Sequence, residues 1–443
     1  MQHFGAGARG DRFVRITILT QYYPPEIGAP PNRLSELAKS LKGFGHSVTV
    51  LTAMPNYPTG KIYPGYSGMW LRETLDGIPV IRSFIYPTQS VGLIKRLSSY
   101  FSFVVSSVLA GVLLLPKSDI LMTESPPLFL GMAGFVLSRV KRARFIFNIS
   151  DLWPESAVEL DIIARGSVSH RLSTLLELFL YRRAWLVSGQ SKGILENISR
   201  RVPAIRTFHL SNGVDCRRFA DSTMRNASVA AQRQGDECLV VYAGLHGIAQ
   251  GLDQVLEAAR ELTGSKNVRF VLIGDGPEKE RLQGRAAILQ LHNVTFLPPV
   301  PASEIPGILF AADIVLVSLK QEITGAVPSK LYEAMAAGKP IVLIARGEAA
   351  EIIRNADAGY VVEPGNTSEL VHAIEQLLSD QGIQKIMGDN GRDAAIRLYD
   401  RPSIARKFNE YLTAPGKEAD TIADMGAISA GTSQEVIIAR NQT

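Results

Sequence analysis

The chain has 443 residues, 46% of them apolar and 20% charged, which at ~100–200 residues per domain gives room for two to four domains with sizeable cores. Its only cysteines, Cys216 and Cys238, form no CxxC pair and have no histidine at ligand spacing, so a disulfide scaffold and a zinc site are both excluded as expectations. The net charge of +5 hides two unlike halves: residues 1–205 carry 23 Lys+Arg against 13 Asp+Glu, and the remainder 24 against 29. A basic half suits a polyanion or the anionic cytoplasmic leaflet. Its cations lack interleaved aromatics, so nucleic acid is not an expected partner.

In chain order, GAGARG at 5–10 matches GxGxxG but precedes the first strand; a dinucleotide loop must follow a strand and open a helix, so this segment reads as linker. The polar N-terminus lacks the apolar core of a secretory leader, and a cytoplasmic protein is expected. From Val14 onward, short apolar runs alternate with helix-period segments, the pattern of repeated βα units and parallel sheets. Strands are predicted at 14–20, 46–52, 118–124, 144–150 and 184–190, then at 238–244, 268–274, 293–299, 313–319 and 339–345. Residues 97–115 carry no charge and at ~1.5 Å per residue would reach about 28 Å, the thickness of a bilayer core. Crossing would place the 14–20 and 118–124 strands of one sheet on opposite sides of the membrane. With Ser99, Ser102 and Ser106 at i, i+3, i+7, a helix lying along a surface is expected, flanked by Lys95, Arg96, Arg139, Lys141, Arg142 and Arg144. A second basic amphipathic stretch, 170–185, extends that surface or simply buries an apolar face.

The fold expected is α/β, two facing Rossmann-like doubly wound parallel-sheet domains with a cleft between them. The first domain spans 14–205, a linker 206–236, and the second domain 237–400. A helix at 401–413 packs back toward the first domain, and 414–443 lose periodicity and are expected to be a disordered tail.

Several segments carry chemistry. Gly28 ends the loop after the first strand and opens a helix, where the missing side chain lets a phosphate or sugar approach the amides; an ordinary loop is the rival reading. Gly274–Pro277 follows a strand but lacks the third glycine, and reads as a plain strand-to-helix turn. In ITGAVPSKLYEAMAAGKPIV (323–342), Gly325 and Pro328 shape a loop, Lys330 sits in the first helical turn, and Glu333 lies one turn along the same face. A phosphate would meet the free helix amides and Lys330, and Glu333 would accept two hydrogen bonds from a ribose; the rival is a surface ion pair. No D-x-D occurs and no histidine has HxH or HxxxH spacing, so no metal and no cofactor are expected.

GLHGIAQGLDQVLEAA (244–259), GDGPEK (274–279), PSKLYEAMAAGKPIV (328–342) and NGVD (212–215) together resemble the retaining family 4 glycosyltransferases. YYPPEIGAPPNR (22–33), MPNYPTGKIYPGY (54–66), ESPPLFLG (124–131) and DLWPES (151–156) are similar to the bacterial L-fucosamine-type transferases of surface-polysaccharide assembly. The resemblance implies a GT-B fold and transfer of an N-acetylated amino sugar from a nucleoside diphosphate, UDP, to a polyprenyl-diphosphate-linked acceptor in O-antigen, capsule or exopolysaccharide synthesis. Its second nucleotide-binding glutamate matches Glu333. The first falls on Gly325, with Glu322 as a substitute, and the Arg and Lys that meet the donor diphosphate fall on Leu245 and Gln250. Lys330, the amides around it and the Gly247 loop are therefore expected to bind the diphosphate, with His246 nearby. The family's active-site histidine falls near Glu124, and Glu124 and Asp151 stand at carboxyl ends of neighbouring strands, where either would orient or deprotonate an acceptor hydroxyl; for Asp151 helix capping is the rival role. The partners implied are a nucleotide sugar and a lipid-linked acceptor at the inner face of the cytoplasmic membrane, with peripheral attachment. A nucleotide-sugar epimerase of the same fold and a catalytically silent membrane scaffold stay open as alternatives.

Overall fold

The computed structural model describes residues 13–88, 93–159, 162–264 and 267–414. The GAGARG segment, the side chains of Lys95 and Arg96 and the expected tail beyond 414 lie outside the described residues.

The first sheet is built from β1 (Arg15–Leu19), β2 (Ser47–Ala53), β3 (Trp70–Leu75), β4 (Ile78–Ser83), β5 (Ile120–Ser125), β6 (Arg144–Ile149), β7 (Leu186–Gly189) and β8 (Thr207–His209). Their order is β3-β4-β2-β1-β5-β6-β7-β8, parallel throughout except for β3 against β4. The second comprises β9 (Cys238–Ala243), β10 (Val268–Ile273), β11 (Val294–Leu297), β12 (Ile314–Ser318), β13 (Ile341–Ile344) and β14 (Gly359–Val362), all parallel in the order β11-β10-β9-β12-β13-β14. All ten predicted strands are present. They are legible because helices cover both faces, so strands such as IVLI of β13 are buried at every residue and read as unbroken apolar runs. The β3–β4 hairpin escaped the reading, although Asp76-Gly77, both at positive φ, is the dipeptide a tight hairpin turn demands. Exposed and half-buried residues alternate along β3, as in an edge strand.

The order in which strands are added reverses once in each sheet, between β1 and β5 and between β9 and β12. In such sheets ligands bind beyond the carboxyl ends of the strands at these reversal points.

The expected linker, 206–236, is corrected at both ends. β8 extends the first sheet by pairing with β7, while Val214, Phe219 and Val229 are buried in the core of the second domain. Helix Arg401–Thr413 sinks Ala405, Phe408, Tyr411 and Leu412 among Leu34, Leu37 and Phe208 of the first domain. Phe208 lies 5.1 Å from the Phe408 ring and 5.2 Å from Tyr411.

Helix Leu93–Leu114 joins β4 to β5, two strands of one sheet, so it runs along the domain and does not traverse anything. Its serine stripe, left unassigned to either side by the sequence, turns toward the domain. The serines face inward: Ser102 Oγ accepts from Tyr86 N at 2.8 Å, Ser106 Oγ donates to Phe84 O, and Ser99 and Ser106 are buried. They satisfy backbone groups freed where β4 ends. The outward face is apolar, with Phe101, Val105, Leu109, Val112 and Leu113 between 42% and 65% exposed. Val136 and Val140 on the adjoining helix Leu130–Lys141 and Leu172 and Leu175 on helix Val168–Arg183 are exposed too.

Candidate functional site

The second domain's reversal point assembles a basic pocket from three segments. After β9 the chain turns through Gly244-Leu245-His246-Gly247; after β12 it runs as a loop from Leu319 to Pro328; helix Ser329–Ala336 then begins beneath both. Lys330, at the second position of that helix, reaches back to β9. Its Nζ donates to Tyr242 Oη at 2.8 Å and lies 4.6 Å from the ring centroid, and Tyr242 Oη donates to Leu245 O at 2.7 Å. The lysine stem passes so close to Gly244 that a Cβ there would sit 2.0 Å from Lys330 Cε, so any larger residue would push the lysine off this path. Burial pulls the ammonium down to about 8, opposed by Glu333, and no carboxylate forms an ion pair with it among the described residues. The result is a desolvated cation at a helix amino end, a setting that favours an anion.

Glu333 lies one turn on. Its Oε1 is 3.7 Å from Arg218 Nη1, and its side chain keeps 23% of its surface. Burial pushes its carboxyl up, opposed by Arg218, Arg401 and Lys330. Arg218, from the turn Cys216–Phe219 after NGVD, also donates to Ala302 O, and Arg401 donates to Glu36 Oε2 at 2.8 Å and to Asn212 O at 2.9 Å. Sequence reasoning missed Arg218 and Tyr242, whose partners stand 115 and 88 positions away; no motif spacing connects them.

The remaining expected residues separate. Gly247 is where the loop turns, a Cβ there falling 2.7 Å from Gln250 Oε1. His246 is fully buried beneath that loop, its ring between Tyr242 and Phe296 and its backbone N–H donating to Asp275 O at 2.8 Å. Burial, with Lys279 and Lys330 close by, lowers its imidazole to about 4, so it is neutral and supports the loop from below. Gly325 departs from the expectation of a donor-binding residue. At φ +74° it packs against the first domain, where a Cβ would lie 2.6 Å from Ile194 Cγ1, so it serves domain contact and not a phosphate cradle. Glu322 is exposed and leans on Gly347, whose Cβ would meet Oε1 at 2.8 Å. Gly28 caps helix Ala29–Gly43, and a Cβ there meets only Pro31 Cδ at 3.6 Å and Pro30 Cδ at 3.9 Å, so packing does not demand glycine.

In the first domain Glu124 is 2% exposed with both oxygens engaged. Oε1 accepts from Arg33 Nη2 at 2.5 Å and from Ser150 Oγ, and Oε2 from Asn148 Nδ2 at 2.5 Å. A buried carboxylate held by three donors organises its neighbours, which favours the orienting role over the deprotonating one. Asp151 differs. Burial and Glu159 push its carboxyl up while Ser156 holds it by a hydrogen bond, as suits a proton acceptor near the seam between domains.

Comparison with known proteins places both halves. Residues 225–394 match the glycosyl transferases group 1, and residues 28–213 the glycosyl transferase 4-like domain. The chain is 27% identical over 410 residues to the putative colanic acid biosynthesis glycosyl transferase WcaI of Escherichia coli (strain K12), covering 89% of this chain and 98% of that protein. Among solved structures it is similar to sucrose-phosphate synthase from Thermosynechococcus elongatus, TM-score 0.72 at 18% identity over 90% of this chain and 98% of that one. It is also similar to Anabaena Alr3699/HepE in complex with UDP, TM-score 0.67 at 19% identity over 90% and 99%. The chain is therefore a glycosyltransferase of the two-domain GT-B type, with a group 1 C-terminal domain and a 4-like N-terminal domain.

Proposed function

We propose that this glycosyltransferase moves a sugar, an N-acetylated amino sugar of the L-fucosamine kind, with retention from UDP to a polyprenyl-diphosphate-linked acceptor in surface-polysaccharide synthesis. The observation that carries the reading is the unpaired Lys330 ammonium at the amino end of helix Ser329–Ala336, with Glu333 one turn behind it. The lysine and the helix amides would neutralise the donor diphosphate, and Glu333 would accept from the ribose hydroxyls. Similarity to a transferase named for colanic acid biosynthesis and to a structure named as a UDP complex supports the polymer and the base. In the front-face mechanism the acceptor hydroxyl attacks on the side from which the diphosphate leaves, a departing phosphate oxygen takes its proton, and the protein contributes orientation and charge stabilisation.

A thermal-shift screen of nucleotide sugars tests the donor, because a ligand that binds only the native state raises stability with its occupancy. UDP-amino sugars should give the largest shift. Glu333→Ala should weaken UDP binding roughly 10- to 100-fold, as expected when a charged acceptor of two hydrogen bonds is removed, with a smaller effect on turnover. Unchanged UDP affinity in calorimetry would remove Glu333 from the site.

The acceptor's lipid is met by the first domain. Helix Leu93–Leu114 turns an apolar stripe outward, and Lys117, Arg139, Arg142 and Arg144 are exposed beyond its carboxyl end. Lys141 is tied by donating to Val112 O at 3.0 Å and Leu115 O at 2.8 Å. This combination suits a helix lying in the headgroup region of an anionic bilayer, at the cytoplasmic face. The protein should float with vesicles containing anionic phospholipid, less so as salt rises, and the triple change Phe101→Ser, Leu109→Ser, Leu113→Ser should release it while sparing transfer to a short-chain, water-soluble acceptor.

A further inference from the structure

The two domains are joined by a pair of carboxylates, each set into the backbone of the other domain. From the first domain, Glu159 accepts from Thr324 N at 2.9 Å and from Thr324 Oγ1 at 2.6 Å, while its own carbonyl accepts from Gln321 Nε2 at 2.7 Å. From the second, Glu348 accepts from Lys192 N at 2.9 Å and Gly193 N at 2.8 Å, the first amides of helix Lys192–Arg201. Ser191 Oγ takes the next, from Ile194 N. First-turn amides have no partner within their own helix, so Glu348 completes across the seam a cap that Ser191 only begins, and it does so with negative charge at the positive end of the helix. Gly325 packs on Ile194 and Ser191 between the two carboxylates.

We infer that Glu159 and Glu348 are positioning residues for transfer: together they clasp the domains and thereby fix the loop that delivers Lys330. The loop from Leu319 to Pro328 is tied to the β9 turn by Lys320 N donating to Ala249 O at 2.8 Å, then held at Gln321 and Thr324 by Glu159, and it runs directly into the helix that starts at Ser329. When the clasp opens, Thr324, Gln321 and the amides of Lys192 and Gly193 exchange these fixed acceptors for water, and the loop keeps only the packing of Gly325 on Ile194 and Ser191 to hold it to the first domain. Glu159 also stands close enough to Asp151 to add to the upward push that burial gives its carboxyl. This goes beyond the proposed function in that it holds for whatever sugar is moved.

The test is solution scattering of the free protein together with kinetics. Glu159→Ala and Glu348→Ala should each enlarge the radius of gyration, leave the melting temperature close to wild type, and lower kcat roughly tenfold, the loss expected when a charged acceptor of two hydrogen bonds no longer orders a catalytic loop. Thr324→Val, altering the same contact from the other domain, should lose less and should not add to Glu159→Ala in the double variant. Glu159→Gln, which keeps an accepting oxygen, should recover part of kcat. A wild-type scattering profile in both alanine variants overturns the inference, as does a fall in kcat without domain opening. Scattering needs neither donor nor acceptor, so variants that open while the wild type moves no sugar would refute the proposed function and uphold the clasp.

Discussion

Lys330→Ala is expected to lower the rate of sugar transfer by roughly 10²–10³-fold, the loss typical of removing one preorganised group that stabilises charge developing in a transition state. The reason is geometric: the ammonium is fixed by Tyr242 at 2.8 Å, threaded past Gly244, and left without a carboxylate partner. Its charge is therefore available to the leaving diphosphate at no cost in reorganisation. Turnover should fall more than donor affinity, because the helix amides still meet the ground-state anion. A matching pH dependence follows. Burial lowers the ammonium to about 8 from an ordinary value of 10.5, so donor affinity should weaken as pH rises through about 8, and UDP binding near that pH should take up protons, seen as a buffer-dependent enthalpy. For stability the sign is opposite to that of an ion-paired lysine. Between about 8 and 10.5 the unfolded chain holds the extra proton, so this group's contribution becomes more favourable as pH rises across that window. Lys330→Met should abolish that slope. Wild-type turnover in Lys330→Ala would remove the site from this helix.

Arg33→Ala should cost about 3–5 kcal/mol of stability, the range for removing one partner of a buried ion pair and stranding the other charge. Arg33 and Glu124 are 2.5 Å apart with side chains 5% and 3% exposed, and Asn148 and Ser150 complete the carboxylate's shell. Ser188 in turn donates to Asn148 Oδ1 at 2.6 Å, so the charge is embedded in a chain of fixed donors. Chemical denaturation of Arg33→Ala and Glu124→Ala reads the cost directly. The double change to apolar residues of similar volume should recover much of it, since no unpaired charge then remains. The same measurement separates the two views of Glu124. A Glu124→Gln variant that keeps full stability yet loses transfer would return it to a proton-accepting role; a loss of stability places it in the scaffold.

These effects mark where sequence reading ends. Lys330 and Glu333 could be paired from the sequence because their spacing, one turn apart behind a Gly- and Pro-rich loop, is a local fact that holds in any fold. The depth of His246 and the partner of Gly325 could not be read, because a histidine in a glycine-bracketed loop sits equally well above a site or beneath it, and a positive-φ glycine admits a phosphate or another backbone. The serines of the helix at Leu93–Leu114 show the point most sharply. Their stripe was visible, but which side faced water depended on the backbone groups of Phe84 and Tyr86 that needed partners.

What the amino-acid sequence determined by itself was the repeating architecture: ten apolar strands, nearly all buried on both faces, with helices between them, and the helix end bearing Lys330. Periodicity and turn chemistry act over a few residues, so they can be read without the fold. The tertiary structure alone decided which charges meet. Tyr242 with Lys330, Arg218 with Glu333, Arg33 with Glu124, and the carboxylates of Glu159 and Glu348 set into the opposite domain are 88 to 165 positions apart in the chain. Their energies arise from desolvation and contact, which exist only once the sheets have brought these residues together.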